Sequence, residues 1–247
     1  MPTEANNKKK YTYVWVSLII LIFGIIVIPR IVERLKSGSI VERDRLIGGN
    51  TTASLSYIAT NGAKRKVPEF SFINQDSILI SNEDYLGKVY VVEFFFTTCP
   101  TICPIMTKNL VELQDTFKND DAFGIASFSI NPRYDTPAVL KRYATNYGVK
   151  DSDWHLMTGE QTEIYDLANK GFYIVTNEEK EAEGGFEHSG AFALVDKNGY
   201  IRSRTDKFGN PLIYYRGTIT EKQGINKDGE AQQITMLKED IKKLLAE

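Results

Sequence analysis

The chain has two cysteines, Cys99 and Cys103, which lie four positions apart in the segment Cys-Pro-Thr-Ile-Cys-Pro. This segment follows an apolar run at 89–96 that is typical of a buried strand. If a helix begins there, with Pro104 at its first position, both sulfurs lie on one side of the first turn. The N–H groups and the dipole at a helix start favour thiolate over thiol. The pair can therefore bind a soft metal, cycle with a disulfide, or form a structural disulfide, although a bridge over so short a loop constrains the unfolded chain little.

The chain also has two histidines, and their sequence settings differ. His188 lies between the glycine pair at 184–185 and the Ser-Gly pair at 189–190, in a loop of the kind that can bring a ligand over a helix end. A single loop histidine is more often solvated or hydrogen-bonded than metal-bound, so its position alone leaves the role open. His155 lies in the apolar segment 154–157, which favours a structural role.

The amino-terminal part of the chain predicts a membrane anchor. A polar segment at 1–10 precedes an almost wholly apolar stretch at 11–28, whose length is at the short end of what spans a bilayer. A cleaved signal peptide is the alternative, but no small-residue cleavage site follows the stretch. The lysines at 8–10 favour an amino terminus on the inside. We therefore expect a single-pass protein of the cell inner membrane that contacts lipid through its anchor, with a juxtamembrane linker at 29–67 and a folded domain at 68–247 on the periplasmic side.

The charge balance of the chain excludes one broad class of partner. The net charge is −2 and the pI is about 5.9, with acidic and basic residues mixed along the sequence. A nucleic-acid-binding surface would need a basic excess or a basic cluster. We therefore expect no nucleic-acid partner.

The hydrophobic pattern from residue 68 onward predicts an α/β fold with a layered sheet. Strands are predicted at 70–73, 78–80, 88–96, 123–130, 154–157, 171–175, 191–195 and 200–203. Helices are predicted along the stripe Met106, Leu110, Leu113 and Phe117, between Pro137 and Gly148, at 162–169, and along the stripe Ile234, Leu237, Ile241 and Leu244. Met106 is thus assigned to the core rather than to a metal site, and Tyr134 and Asp135 to the start of the second helix. The cysteines then follow the carboxyl end of a strand, where α/β folds place their sites.

Three segments carry a family resemblance when they are taken together: Phe94–Pro104, Asn131–Pro137 and Glu187–Ser189. In this combination they closely resemble the Sco/SenC family of membrane-anchored copper chaperones, over a region from about Pro68 to the end of the chain. The most specific part is the CPxxCP strand-to-helix element joined to a distant histidine, because a CxxxC spacing alone would be a weak signal.

The resemblance implies a thioredoxin-like fold that binds copper through Cys99, Cys103 and His188. It also implies delivery of copper to the binuclear copper centre of a haem–copper cytochrome oxidase. The copper-bearing oxidase subunit, a copper donor and a thiol reductant protein are then the expected partners. The chemistry agrees, because thiolates select Cu(I) and an added imidazole lets a site also accept Cu(II), whereas structural zinc usually has four ligands.

The chain departs from the family pattern at three places. Asn131 and Glu187 stand where the family usually has Asp, and the segment 204–233 is longer than expected. None of these changes touches an implied ligand, but the long segment leaves partner recognition open.

An enzyme on the same fold is the alternative function. An extracytoplasmic thiol–disulfide oxidoreductase or a peroxiredoxin-like peroxidase would use Cys99 and Cys103 as redox-active residues. The common thioredoxin arrangement, however, has CxxC faced by a cis-proline, and this chain has CxxxC and no proline between Pro137 and Pro211. We therefore favour a copper carrier over an enzyme.

Overall fold

The computed structural model describes residues 7–36, 54–179, 181–206 and 210–247, with the side chains at 7–13, 30–36, 183 and 188 outside the description. The chain divides into two units, Met1–Asp44 and Arg45–Glu247. In the first unit, helix α1 spans Asn7–Lys36. No helix among the described residues is both long enough and apolar enough to cross a membrane. The predicted anchor at 11–28 falls within α1 and is not supported by this finding.

The second unit contains the other elements. In chain order they are β1 (Ser56–Tyr57), β2 (Ala59–Thr60), β3 (Ala63–Lys64), β4 (Ser71–Asn74), β5 (Leu79–Ser81), β6 (Val89–Phe95), α2 (Cys103–Phe117), β7 (Phe123–Ser129), α3 (Pro137–Tyr147), β8 (Trp154–Thr158), α4 (Gln161–Asp166), β9 (Thr176–Glu178), β10 (Phe186–His188), β11 (Ala191–Val195), β12 (Ile201–Ser203), β13 (Tyr215–Arg216) and α5 (Ile234–Ala246). The first strands thus lie upstream of Pro68, where the sequence suggested that the domain begins. Residues 37–53 of the predicted linker lie outside the described residues.

The main sheet has the strand order β1-β12-β11-β6-β7-β8-β4-β5, with β13 paired to β11. Strands β6, β7 and β8 are parallel neighbours, and the other pairs are antiparallel. Helices α2 and α3 form the two crossovers between the parallel strands, as parallel pairing requires. The mixed α/β architecture agrees with the predicted fold class.

The central strand β6 is apolar along nearly its whole length because both faces of the sheet are covered there. All seven of its residues are buried, and the Phe94 ring stacks on that of Phe128 in β7 at 5.4 Å between centroids. The stripe on α2 packs against this sheet, and Met106 is fully buried, which confirms its assignment to the core. The carboxyl end of β6 is therefore a rigid point from which the cysteine segment departs.

One predicted strand is wrong. The segment 171–175 was expected to be extended, but Leu167–Phe172 continues α4 as a π-helical turn, and the next strand begins at Thr176. The apolar side chains of Phe172 and Ile174 are buried at this helix end, and the Ile174 N–H donates to the Ala168 carbonyl. The apolar pattern is therefore satisfied without a strand.

The described part of the long segment 204–233 packs against α5 and α2. Arg204 forms a 2.7 Å ion pair with the buried Asp240 of α5, and the Tyr215 hydroxyl donates to the same carboxylate. The Asn109 amide of α2 donates to the Gly217 carbonyl at 2.8 Å. This segment thereby connects the carboxyl-terminal helix to the helix that begins at Cys103.

Candidate metal centre

The two cysteines lie at a corner between strand β6 and helix α2. Cys103 is the first residue of α2 and Pro104 is the second, one position later than predicted. Cys99 lies in the preceding turn, where its N–H donates to the Phe96 carbonyl at 3.2 Å. The Cys103 N–H donates to the Cys99 sulfur at 3.4 Å. Cys99 is 5% exposed and Cys103 is 1% exposed, and no disulfide joins them. The corner therefore holds two reduced thiols close together, and both are buried.

The protonation of the pair differs from the sequence expectation. The hydrogen bond between the Cys103 thiol and Cys99 raises the pKa of Cys103 above its ordinary range, and burial raises it further. The expected preference for thiolate at the helix start is therefore wrong for Cys103 in the metal-free protein. The reason is that a neighbouring sulfur and a dry environment outweigh the helix dipole. The raised pKa favours the protonated thiol at Cys103 in the metal-free protein.

The cysteine corner contains a functional candidate that sequence reasoning missed. Asp135 was expected to help start α3, but the cap of that helix is Thr136. The Asp135 carboxylate is instead fully buried and accepts hydrogen bonds from Thr97, two residues before Cys99, and from Ser129. Its neighbour Tyr134 is 54% exposed. In the sequence, Asp135 stood out only as part of the Asn131–Pro137 segment. No pattern indicated that its side chain would accept hydrogen bonds from Thr97.

The implied third ligand, His188, is the last residue of strand β10. This strand pairs with β9 in a separate two-stranded sheet, in which His188 lies opposite Thr176. The backbone of His188 is described, but its side chain is outside the description. The Asn169 side chain makes two hydrogen bonds to the backbone of Thr176. It accepts from the Thr176 N–H and donates to the Thr176 carbonyl, both at 3.0 Å. The register of His188 is therefore fixed through its strand partner.

The segment that carries His188 contacts the cysteine corner on both sides of the histidine. A Cβ at Gly184 would lie 2.8 Å from the Phe96 ring and 3.2 Å from Pro100, so the backbone there rests directly on the corner. The Phe186 ring packs on Phe96 at 4.9 Å between centroids. A Cβ at Gly190 would lie 3.6 Å from Ile102. The hairpin thus covers the cysteine turn, and His188 lies between these contact points in the sequence.

The other histidine lies in the sheet. His155 is on β8, where its Nδ1 is 3.2 Å from the Asn74 amide and its ring meets the Tyr85 ring edge-on. Burial lowers the pKa of His155. Among the described side chains, no three His, Cys, Asp or Glu residues form a complete metal site. The described donors at the corner are the two thiols, a set that suits a soft ion such as Cu(I).

The SCO1/SenC family model matches residues 58–218, a region that includes the cysteine corner and the His188 hairpin. The chain belongs to the SCO1/SenC family. It is 37% identical over 138 residues to a SCO1 protein homolog of Bacillus subtilis, and the alignment covers 55% of this chain and 71% of that one. It is also 28% identical over 142 residues to a protein of Stutzerimonas stutzeri that is named for copper binding, covering 56% of this chain and 68% of that one.

Two solved structures show that this SCO1/SenC chain has the thioredoxin-like Sco fold. A SCO1/SenC family lipoprotein from Bacillus anthracis is 28% identical, with a TM-score of 0.60, and the match covers 74% of this chain and 96% of that one. BsSco is 31% identical, with a TM-score of 0.58 and coverage of 74% and 94%. BsSco is described as a member of the Sco family of cytochrome c oxidase assembly proteins in which a disulfide switch was identified.

Proposed function

We propose that this chain carries copper and delivers it to the copper-bearing subunit of a cytochrome oxidase during assembly. The observation that carries the proposal is the cysteine corner, where the Cys103 N–H donates to the Cys99 sulfur at 3.4 Å and a hairpin bearing His188 packs on Phe96 and Pro100 of the same turn. Copper is the cargo rather than a resident cofactor. Membership of the Sco family and the copper-binding name of the Stutzerimonas relative support this choice of metal.

Each ligand has a distinct role in the proposal. Cys99 and Cys103 bind Cu(I), which accepts two sulfur ligands, and His188 adds the nitrogen donor that Cu(II) favours. Loading displaces the protons of the two thiols, since a metal-bound cysteine is a thiolate. The burial of the pair limits access of other ligands to the ion, so release requires a partner that offers its own ligands at the corner.

The domain works on the extracytoplasmic side of a membrane in this proposal. The Bacillus anthracis relative is called a lipoprotein, and copper-bearing oxidase subunits are expected to be met on that side. A copper donor and a thiol reductant would act before the oxidase. Oxidation of the two thiols to a disulfide releases two protons and two electrons to an external disulfide, and the product can no longer bind copper. A thiol reductant would reverse that reaction.

Thiol–disulfide catalysis is the second candidate function, and the disulfide switch described for BsSco favours redox chemistry at these cysteines. An anaerobic titration separates the two. The reduced full chain should bind a single Cu(I) against a competing chelator, and the oxidised chain should bind none. Insulin reduction and peroxide consumption should be slow with or without copper. Rapid metal-independent turnover, together with Cu(I) binding by the oxidised chain, would reverse the order of the candidates.

A further inference from the structure

A buried carboxylate connects the sheet to the cysteine turn. Asp135 is fully buried, and three donors point at it: the Thr97 N–H at 3.0 Å, the Thr97 hydroxyl, and the Ser129 hydroxyl at 2.5 Å. A buried carboxylate is costly unless hydrogen bonds satisfy it, so these bonds are integral to the local fold. Ser129 ends strand β7, whereas Thr97 lies beyond the end of β6. The carboxylate therefore ties the start of the turn to the neighbouring strand.

The position of Thr97 makes this tie relevant to the sulfurs. The turn from Phe96 to Ile102 lies between the last residue of β6 and the first residue of α2. Its far end is fixed because Cys103 belongs to α2. At its near end, the backbone and the side chain of Thr97 both donate to Asp135. Cys99 is only two residues away, so a shift at Thr97 moves the Cys99 sulfur relative to Cys103.

We propose that Asp135, acting through Thr97, is a positioning residue that sets the separation of the two thiols. The inference deepens the proposed function and rests on it where copper affinity is concerned. Two-coordinate binding of Cu(I) requires a defined distance between the sulfurs, and outer-shell hydrogen bonds commonly fix such distances. Asp135 does not contact the ion in this scheme.

Two hydroxyl deletions provide the test, because Thr97→Val and Ser129→Ala each remove one hydrogen bond to the same carboxylate. Only Thr97 belongs to the cysteine turn. Both variants should lower the denaturation midpoint of the metal-free full chain, and Ser129→Ala should lower it at least as much as Thr97→Val, because it also removes the acceptor of the Asn131 N–H at 3.2 Å. Thr97→Val should weaken Cu(I) binding roughly tenfold, within the usual range for outer-shell changes, and should shift the Cu(II)–thiolate absorption band. Ser129→Ala keeps both bonds from Thr97 to the carboxylate and should change both properties less than Thr97→Val does, and Thr97→Ser, which keeps the hydroxyl, should behave like the unmodified chain.

A metal-free measurement keeps the inference separate from the proposed function. Cys99 is buried, so loosening the turn should speed its alkylation by iodoacetamide several-fold in Thr97→Val and less in Ser129→Ala. If the unmodified chain binds no copper, the proposed function fails and the alkylation rates alone decide the inference. The inference would be overturned if Thr97→Val had the same alkylation rate and the same Cu(I) affinity as the unmodified chain. Equal changes in both variants would also overturn it, because they would indicate only general destabilisation.

Discussion

The cysteine corner and the hairpin that carries His188 are built in different ways. The corner lies between a strand with seven buried residues and a helix of 15 residues, and Asp135 holds its entry. The hairpin consists of two strands of three residues that pair with each other in a sheet of their own. It rests on the corner through a ring contact and a close glycine backbone. The thiol half of the proposed site is thus formed by the core, while a small separate element supplies the imidazole half.

This difference assigns the two copper oxidation states to the two regions. Cu(I) affinity should depend chiefly on the corner, because two thiolates satisfy that ion. Cu(II) affinity should depend on the hairpin as well, because it needs the nitrogen donor. Changes in either region should therefore have separable effects on the two ions.

The largest effect is expected from breaking the corner itself. Cys99→Ser or Cys103→Ser should reduce Cu(I) affinity by more than about 100-fold, because one thiolate cannot chelate. Substitutions outside the ligand shell typically cost about 100-fold at most, so loss of a ligand should cost more. Competition with a Cu(I) chelator measures this loss, and thermal unfolding of each metal-free variant controls for misfolding. Tight Cu(I) binding by either folded single-cysteine variant would show that the corner is not the site.

Removing the imidazole should have a smaller and more selective effect. His188→Ala should weaken Cu(II) binding by roughly tenfold or more, about 1.4 kcal/mol, and Cu(I) binding by less. Parallel titrations with the two ions measure the difference. The matched control is His155→Ala, since His155 lies in the sheet beside Asn74. Equal losses for both ions in His188→Ala would contradict the assignment of roles.

A still smaller effect should come from lifting the hairpin without touching a ligand. Gly184 and Gly185 both have positive φ, at 79° and 86°, so alanine at either position pays a backbone cost of about 1–2 kcal/mol. An added Cβ at Gly184 collides with Phe96, whereas no heavy atom of the described residues lies within 4 Å of a Cβ at Gly185. Gly184→Ala should therefore weaken Cu(II) binding more than Gly185→Ala, with little change for Cu(I). Indistinguishable Cu(II) titrations of the two variants would argue against a hairpin seated on the corner.

Substitution of Glu93 should have the smallest effect on copper affinity. It tests whether water is excluded from strand β6, which leads to the corner. Burial raises the pKa of Glu93 to about 8 from 4.5, and only one of its carboxylate oxygens has a partner, Ser127, among the described residues. The pKa of Glu93 is higher in the folded chain than in the unfolded chain. Its contribution to the free energy of unfolding is therefore fully present below pH 4.5 and is lost as the pH rises to 8.

Glu93→Gln stays neutral and should remove this pH dependence, which for one proton is about 1.4 kcal/mol per pH unit. Denaturant unfolding of the metal-free chain from about pH 5 to pH 9 measures the slope. Copper affinity at neutral pH should stay near the wild-type value. An unchanged slope in Glu93→Gln would mean that the carboxyl group is hydrated rather than buried.

The sequence predicted well those features that depend on local pattern. The run before Cys99, the stripe on α2 and the strands predicted at 191–195 and 200–203, which the turn residues at 196–199 join, all have periodicities or turn residues that specify one element. The strand at 171–175 failed because buried residues at alternate positions can also be satisfied at a helix end. The protonation of Cys103 was mispredicted because the dipole argument left out the neighbouring sulfur and the burial of the thiol.

The role of Asp135 lay beyond sequence reasoning for a different reason. Its partner Thr97 is 38 positions away and becomes its neighbour only when β6 and β7 pair in parallel. No local pattern encodes that proximity. The contact of Gly184 with Phe96 is hidden in the same way, because it depends on how a hairpin folds back over a distant strand.

The central claim is that the corner and the hairpin together form one copper site. Copper K-edge X-ray absorption of the Cu(II)-loaded full chain tests it most directly, because the chain has only two cysteines and two histidines. We predict a shell of two sulfur ligands together with imidazole scattering that is lost in His188→Ala and kept in His155→Ala. A spectrum without sulfur ligands, or imidazole scattering that survives in His188→Ala, would contradict the account.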